Sequence, residues 1–292
     1  MDKKAIFAGI FAAVSWGTVF VFGQVAVQAG FHPVLVAFFR FASANVFLFF
    51  YHLMVSGRFF LDRRDILNFI LLGATGIFGM NLFIFYSLRL TDSTITSLLM
   101  NANGFIIGIL GFLMLREKTG ILELLGLVVG ISGCWLIFTQ GELSRISHSN
   151  LLGNIFALCA SFCWAFYSVW GKKTKVIEKY GAILSTFWAS MAGSIMLGLT
   201  ILLTGIPLFL DARNVLISVY LGIVPAGIGF TLWFYSISRL KTVIPGIIQF
   251  LAPLTTALLA ILILNQRINL ATILGGILIM AGVLFSLKNQ PQ

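Results

Sequence analysis

Ten stretches of about 20 mostly apolar residues follow one another along this 292-residue chain, and that pattern constrains the fold more than any motif does. The stretches lie near Ala5–Val27, Pro33–Val55, Ile66–Leu88, Ser93–Leu115, Ile121–Gln140, Leu151–Gly171, Ala182–Thr204, Arg213–Ile237, Val243–Leu264 and Leu270–Leu287. Each is long enough to cross the hydrocarbon core of a bilayer as a helix, because about 20 residues at 1.5 Å rise span about 30 Å. Only 10% of the residues are charged, whereas a soluble domain carries about 25%. That shortage of polar surface excludes a soluble enzyme, a nucleic-acid-binding domain and a disordered chain. The first stretch begins at Lys3 and Lys4 in the manner of a signal peptide, but it has no small-residue cleavage site, and the sequence predicts a retained helix.

The net charge of +10 belongs to the connections between the stretches. With the N-terminus placed inside, 14 of the 19 Lys and Arg fall on the inner side and four on the outer side; the remaining one, Arg40, lies within the second span. This asymmetry follows the positive-inside rule. It predicts a multi-pass membrane protein with both termini in the cytoplasm. Cys134, Cys159 and Cys163 all fall inside apolar stretches, which argues against a disulfide framework and against a zinc site.

The chain is written twice. At an offset of 149, Leu72-Gly73 meets Leu221-Gly222, Phe85-Tyr86-Ser87 meets Phe234-Tyr235-Ser236, Leu125-Gly126 meets Leu274-Gly275, and Gly133 meets Gly282. At an offset of 148, Ala12 meets Ala160 and Trp16 meets Trp164. The sequence divides into a first five-helix repeat over residues 1–140, a linker at 141–149 and a second five-helix repeat over 150–292. Five is odd, so the second repeat enters the membrane from the opposite side. The expected fold is therefore all-α and integral to the membrane: ten transmembrane helices as two inverted-topology repeats around a central cavity, with conformations open to opposite sides.

Several segments carry a resemblance to a known family. They are Ser15-Trp16-Gly17 in the first span, Phe38-Phe39-Arg40-Phe41 in the second, Leu115-Arg116-Glu117-Lys118 after the fourth, and Ala252-Pro253-Leu254 followed by Asn265-Gln266-Arg267-Ile268. With the five-plus-five repeat, the chain resembles the drug/metabolite transporter superfamily, in particular the ten-helix EamA-type permeases. The resemblance implies a basket of helices around a cavity, with the fifth and tenth spans peripheral, and export of small metabolites as the default activity. The halves differ chemically: the first-half counterpart of Pro253 is Gly104, and the second-half counterpart of Glu117 is Gln266.

Sites in inverted repeats lie near the midplane. Trp16 and Trp164 are deep in their spans, although membrane tryptophans favour the interfaces, and a pair of rings could stack on a ligand or hold a cation. Ordinary helix packing is the competing reading. Asn81, Asn101, Asn103 and Gln249 are amides that hydrocarbon disfavours, so they should face water, substrate or another helix. Arg40 lies about 10 Å from its span end, and an intramembrane charge is a functional candidate that otherwise serves helix carbonyls. Gly104 and Pro253 are candidates for gating or hinge positions. Glu117 and Glu123 are expected to order the loop ends. The glycine faces at 73, 76 and 79 and at 126, 130 and 133 suit close helix packing, with dimerisation as an alternative.

These residues favour a secondary carrier over an enzyme. There is no GxxxxGK[ST], HExxH or GxSxG motif and no clustered acid set. No carboxylate sits at a midplane, which argues against a proton antiporter of the small-multidrug type. The expectation is an exporter of small organic metabolites such as amino acids, with no cofactor and no metal. Its partners would be the lipid bilayer and a small-molecule substrate, not nucleic acid, and it would work as a monomer or weak homodimer. The alternative is an importer of a quaternary amine or nucleoside-like metabolite held by the two tryptophans.

Overall fold

A computed structural model describes residues 2–55, 58–90, 96, 99–100, 102–117, 120–139, 151–208, 211–264 and 270–288. Within them the chain is helical throughout, in ten apolar passages. The first span is Lys3–Gln28 and the second Pro33–Val55. The third runs from Arg63 to Leu90 through helix Ile66–Leu72, a π-helical segment Gly73–Gly79 and helix Met80–Leu90. The fourth is described as helix Asn103–Leu115, and the fifth is Ile121–Thr139. The sixth is Leu151–Lys173 and the seventh Val176–Thr204. The eighth runs from Ala212 to Arg239 through a π-helical segment Gly222–Ile228. The ninth joins Val243–Ile248 to Leu251–Leu264, and the tenth is Leu270–Lys288. Residues 141–149, read as the linker, lie outside the described residues, as does Asn101.

Local chemistry sets where these helices begin and bend. Asp2 caps the first span by accepting from the Ala5 amide at 3.1 Å, and Asp211 caps the eighth by accepting from Asn214 at 3.2 Å. Gly181, at φ +76°, bends the seventh span near its start, a conformation that suits glycine. The turn before that bend carries Lys179 and Tyr180, and both bond Asp65, at 2.6 and 2.7 Å.

The repeat predicted from the sequence is visible in the backbone. The π-helical segments begin at Gly73 and Gly222, 149 residues apart. The fifth and tenth spans pack on each other through their glycines. A methyl on Gly133 would sit 2.6 Å from the Gly275 carbonyl, and one on Gly282 would sit 2.7 Å from the Gly126 carbonyl. Gly133 and Gly282 are repeat counterparts, as are Gly126 and Gly275, so one contact is made twice. The glycine face at 126, 130 and 133 is thus used inside the chain. Large apolar side chains such as Phe7, Phe112, Leu202 and Leu203 point outward, as lipid-facing residues do.

Candidate functional site

The first and sixth spans bring Trp16 and Trp164 together at the centre of the bundle, ring centroids 4.9 Å apart in an edge-to-face arrangement. Phe230 of the eighth span packs 5.1 Å from Trp164 and 5.9 Å from Trp16, and Trp233 packs 5.3 Å from Trp16. Each indole N–H is used. Trp16 donates to the Pro225 carbonyl at 2.9 Å, and Trp164 donates to Gln249 Oε1 at 3.0 Å. The π-helical segment explains the first of these bonds. The Gly229 amide reaches back to the Val224 carbonyl, past that of Pro225, which is left to accept from Trp16.

Above this aromatic floor, toward the Gln28 end of the first span, lies a cavity of about 60 Å³ measured to the centres of water-sized spheres. It is lined by Trp16, Val19, Phe20, Arg40, Met80, Ile84, Met100, Asn103, Trp164, Phe230, Gln249 and Ala252. Five of the expected residues therefore meet around one space: Trp16, Arg40, Asn103, Trp164 and Gln249. They arrive from five different spans, the first, second, fourth, sixth and ninth.

Arg40 is 2% exposed. Its Nε donates to the Leu221 carbonyl at 3.3 Å and its Nη1 to Asn81 Oδ1 at 3.1 Å, while the rings of Phe41 and Phe230 lie 5.0 and 5.9 Å from the guanidinium carbon. Pro225 lacks the amide hydrogen that an α-helix would direct at Leu221, four residues earlier. Among the described residues no carboxylate is paired with Arg40. A buried cation held by neutral groups alone retains most of its demand for an anion. Two more polar atoms at the cavity have no partner among the described residues, Asn103 Oδ1 and Gln249 Nε2, in side chains that are 3% and 4% exposed. The first is an acceptor and the second a donor.

Asn81 does not line the cavity. It is fully buried behind Arg40, donating to the Ile77 carbonyl at 2.7 Å while accepting from the guanidinium. Its amide oxygen meets the arginine and not the cavity. Gly104 packs against the ninth span, where a methyl would sit 2.9 Å from the Gly246 carbonyl. Pro253 is the third residue of the ninth span's second helix, just past the turn at Gln249–Phe250, where its missing amide hydrogen is tolerated. Asn101 cannot be placed against the cavity, since it lies outside the described residues. The sequence reading missed Met80, Ile84, Met100 and Phe230, because an apolar side chain facing a cavity has the same composition as one facing lipid. Pro225 carried a usable signal, a proline inside a span flanked by Gly222 and Gly227.

The profile of the EamA-like transporter family matches this chain twice, over residues 3–139 and 151–288. A transporter of Archaeoglobus fulgidus with no assigned substrate is 26% identical over the whole of both chains. A "probable amino-acid metabolite efflux pump" of Escherichia coli is 25% identical, covering 97% of this chain and 94% of its own. An inner membrane transporter of Salmonella typhimurium, YicL, is 23% identical over 97% of this chain and 94% of its own. One solved structure, titled only as the crystal structure of a protein, superposes with a TM-score of 0.80 at 18% identity, covering 99% of this chain and all of that one. At that identity the likeness is one of fold.

Proposed function

Because the chain belongs to the EamA-like transporter family, and is therefore a membrane transporter and not an enzyme, we propose that it carries small amino acids with apolar side chains across the membrane by alternating access, with export as the working direction. The observation that supports this reading is the composition of the cavity. A buried arginine without a carboxylate partner suits a substrate carboxylate, which the free Gln249 Nε2 can also bond. The unpartnered Asn103 Oδ1 suits an ammonium group. Val19, Phe20, Met80, Ile84 and Met100 supply an apolar wall for a side chain. The name of the Escherichia coli relative agrees with this class.

The same features disfavour a quaternary amine. Its charge would enter beside the guanidinium of Arg40, and like charges in a low-dielectric space repel. Glycine faces used within the chain support a single chain as the transporting unit. The excess of cations at the Lys3 end supports placing that end in the cytoplasm of a bacterial inner membrane.

The test is counterflow in proteoliposomes loaded in parallel with apolar amino acids, choline-like amines and nucleosides. Exchange is expected with the amino acids alone. Exchange with amines or nucleosides and none with amino acids would contradict the assignment.

A further inference from the structure

The Lys3 end of the bundle is closed by a cluster of charged and polar side chains. At the Lys3 end, Glu117 follows the fourth span and accepts three hydrogen bonds beyond its own helix. Lys172 Nζ of the sixth span donates to Oε1 at 2.7 Å, and the amide and hydroxyl of Thr242, at the start of the ninth, both donate to Oε2 at 2.8 Å. Lys172 also donates to the Leu240 carbonyl at 2.6 Å. Close by, Lys241 reaches Glu123 at 3.3 Å. Gly111 lets the helices come this near, since a methyl there would collide with the Thr242 hydroxyl. A single carboxylate thus ties together the ends of the fourth, sixth and ninth spans.

A second layer lies between this cluster and the cavity. Trp164, Ser168 and Lys172 follow at four-residue spacing on one face of the sixth span, leading from the cavity floor to the ion pair. Around Ser168 the bundle is filled with rings. Tyr167 stacks on Phe234 at 4.8 Å, Trp233 donates to Ser168 Oγ at 3.0 Å, and all of these side chains are fully buried.

The inverted repeat makes the opposite end the natural control. At the 149-residue offset the counterparts of Glu117 and Lys172 are Gln266 and Gly23, and those of Glu123 and Lys241 are Thr272 and Asp92. Neither pair is reproduced. Among the described residues, every ion pair lies at the Lys3 end. If the repeats were chemically equal, conformations open to either end would be balanced. Among the described residues one end carries a charged tie and the other does not.

We propose that Glu117, with Lys172 and Thr242, is a one-sided latch that sets the resting conformation of the carrier. The chain rests closed at the Lys3 end with its cavity facing the Gln28 end, and this cluster must come apart each time the Lys3 end opens. The inference rests on the carrier reading but on no particular substrate.

The test is alkylation of Ser168→Cys by a membrane-impermeant maleimide, in a chain whose Cys134, Cys159 and Cys163 are replaced by alanine. Vesicles of both orientations expose each face in turn. In the parent, Ser168→Cys is expected to be inert from the Lys3 face. Glu117→Gln and, independently, Lys172→Gln should raise its labelling from that face by about tenfold or more, a factor set by the loss of about one charge-assisted hydrogen bond. Arg116→Gln removes a neighbouring exposed charge and should change nothing. Ready labelling of the parent from the Lys3 face, no rise in either latch variant, or an equal rise in Arg116→Gln would each overturn the proposal. No substrate enters the measurement, so its failure leaves the amino-acid assignment standing, and failure of that assignment leaves the latch standing.

Discussion

Asn45 Nδ2 donates to Ser194 Oγ at 2.9 Å, and the two residues are 149 positions apart, the offset that superposes one repeat on the other. The bond therefore joins a residue to its own counterpart, which requires both to lie beside the pseudo-two-fold axis. Ser190 completes the cluster by donating to Asn45 Oδ1. This polar contact sits where the second span of one half meets the seventh span, which belongs to the other half.

The axis contact predicts strong coupling in a double-mutant cycle. Asn45→Ala leaves two buried hydroxyls without their partner and should cost about 1–3 kcal/mol. Ser194→Ala should cost less, because Asn45 keeps Ser190. In the double variant the cost should fall short of the sum by about 0.5 kcal/mol or more. Chemical or thermal unfolding in detergent gives the three values. Additive costs would mean that the bond contributes nothing of its own.

The crossing of the fifth and tenth spans predicts matched damage from matched changes. Gly133→Leu drives a side chain into the Gly275 carbonyl and the Ile279 amide, and Gly282→Leu drives one into the Gly126 carbonyl and the Gly130 amide. Each should destabilise by about 1–3 kcal/mol, read as a lower Tm. Ligand affinity should be unchanged in the chains that fold, since none of these glycines lines the cavity. A lower affinity at unchanged Tm would place the crossing in the transport path instead of the frame.

Topology predicts opposite labelling of exposed positions at the two ends. Ala29 ends the first span, and Lys175 joins the sixth to the seventh. In the cysteine-free chain, Lys175→Cys should react with impermeant maleimide from the cytoplasmic side only, and Ala29→Cys from the outer side only. Reaction of both from one side would contradict the orientation drawn from the cation count.

Much of this arrangement was legible in the sequence because it rests on periodicity and cost. Apolar length located the spans, the 149-residue offset located the symmetry, and hydrocarbon's intolerance of Trp16, Arg40, Asn103, Trp164 and Gln249 at depth selected the residues that share the cavity. What escaped was what depends on contacts between distant segments. Asn81 and Asn103 are the same residue type in neighbouring spans, yet one is turned onto Arg40 and the other opens into the cavity. The π-helical segments at Gly73–Gly79 and Gly222–Ile228 leave the hydropathy pattern intact, so nothing in it reveals which carbonyls they release. Glu117 read as an ordinary loop acid, because Lys172 and Thr242 join it only in space.

The central claim is that Arg40 recognises a substrate carboxylate inside the Trp16–Trp164 cavity. The most direct measurement is equilibrium binding to purified protein of one apolar amino acid and of its amide, which keeps the side chain and ammonium but lacks the carboxylate. The parent should bind the acid more tightly by about 10- to 100-fold, the range of a charge-assisted hydrogen bond. Arg40→Lys should lose most of that preference, because an ammonium lacks the planar fork, while its affinity for the amide stays near the parent's. Tm measured alongside shows whether the second-span contacts to Leu221 and Asn81 survive the change. Equal binding of acid and amide by the parent, or an Arg40→Lys variant that keeps the full preference at unchanged Tm, would contradict the account.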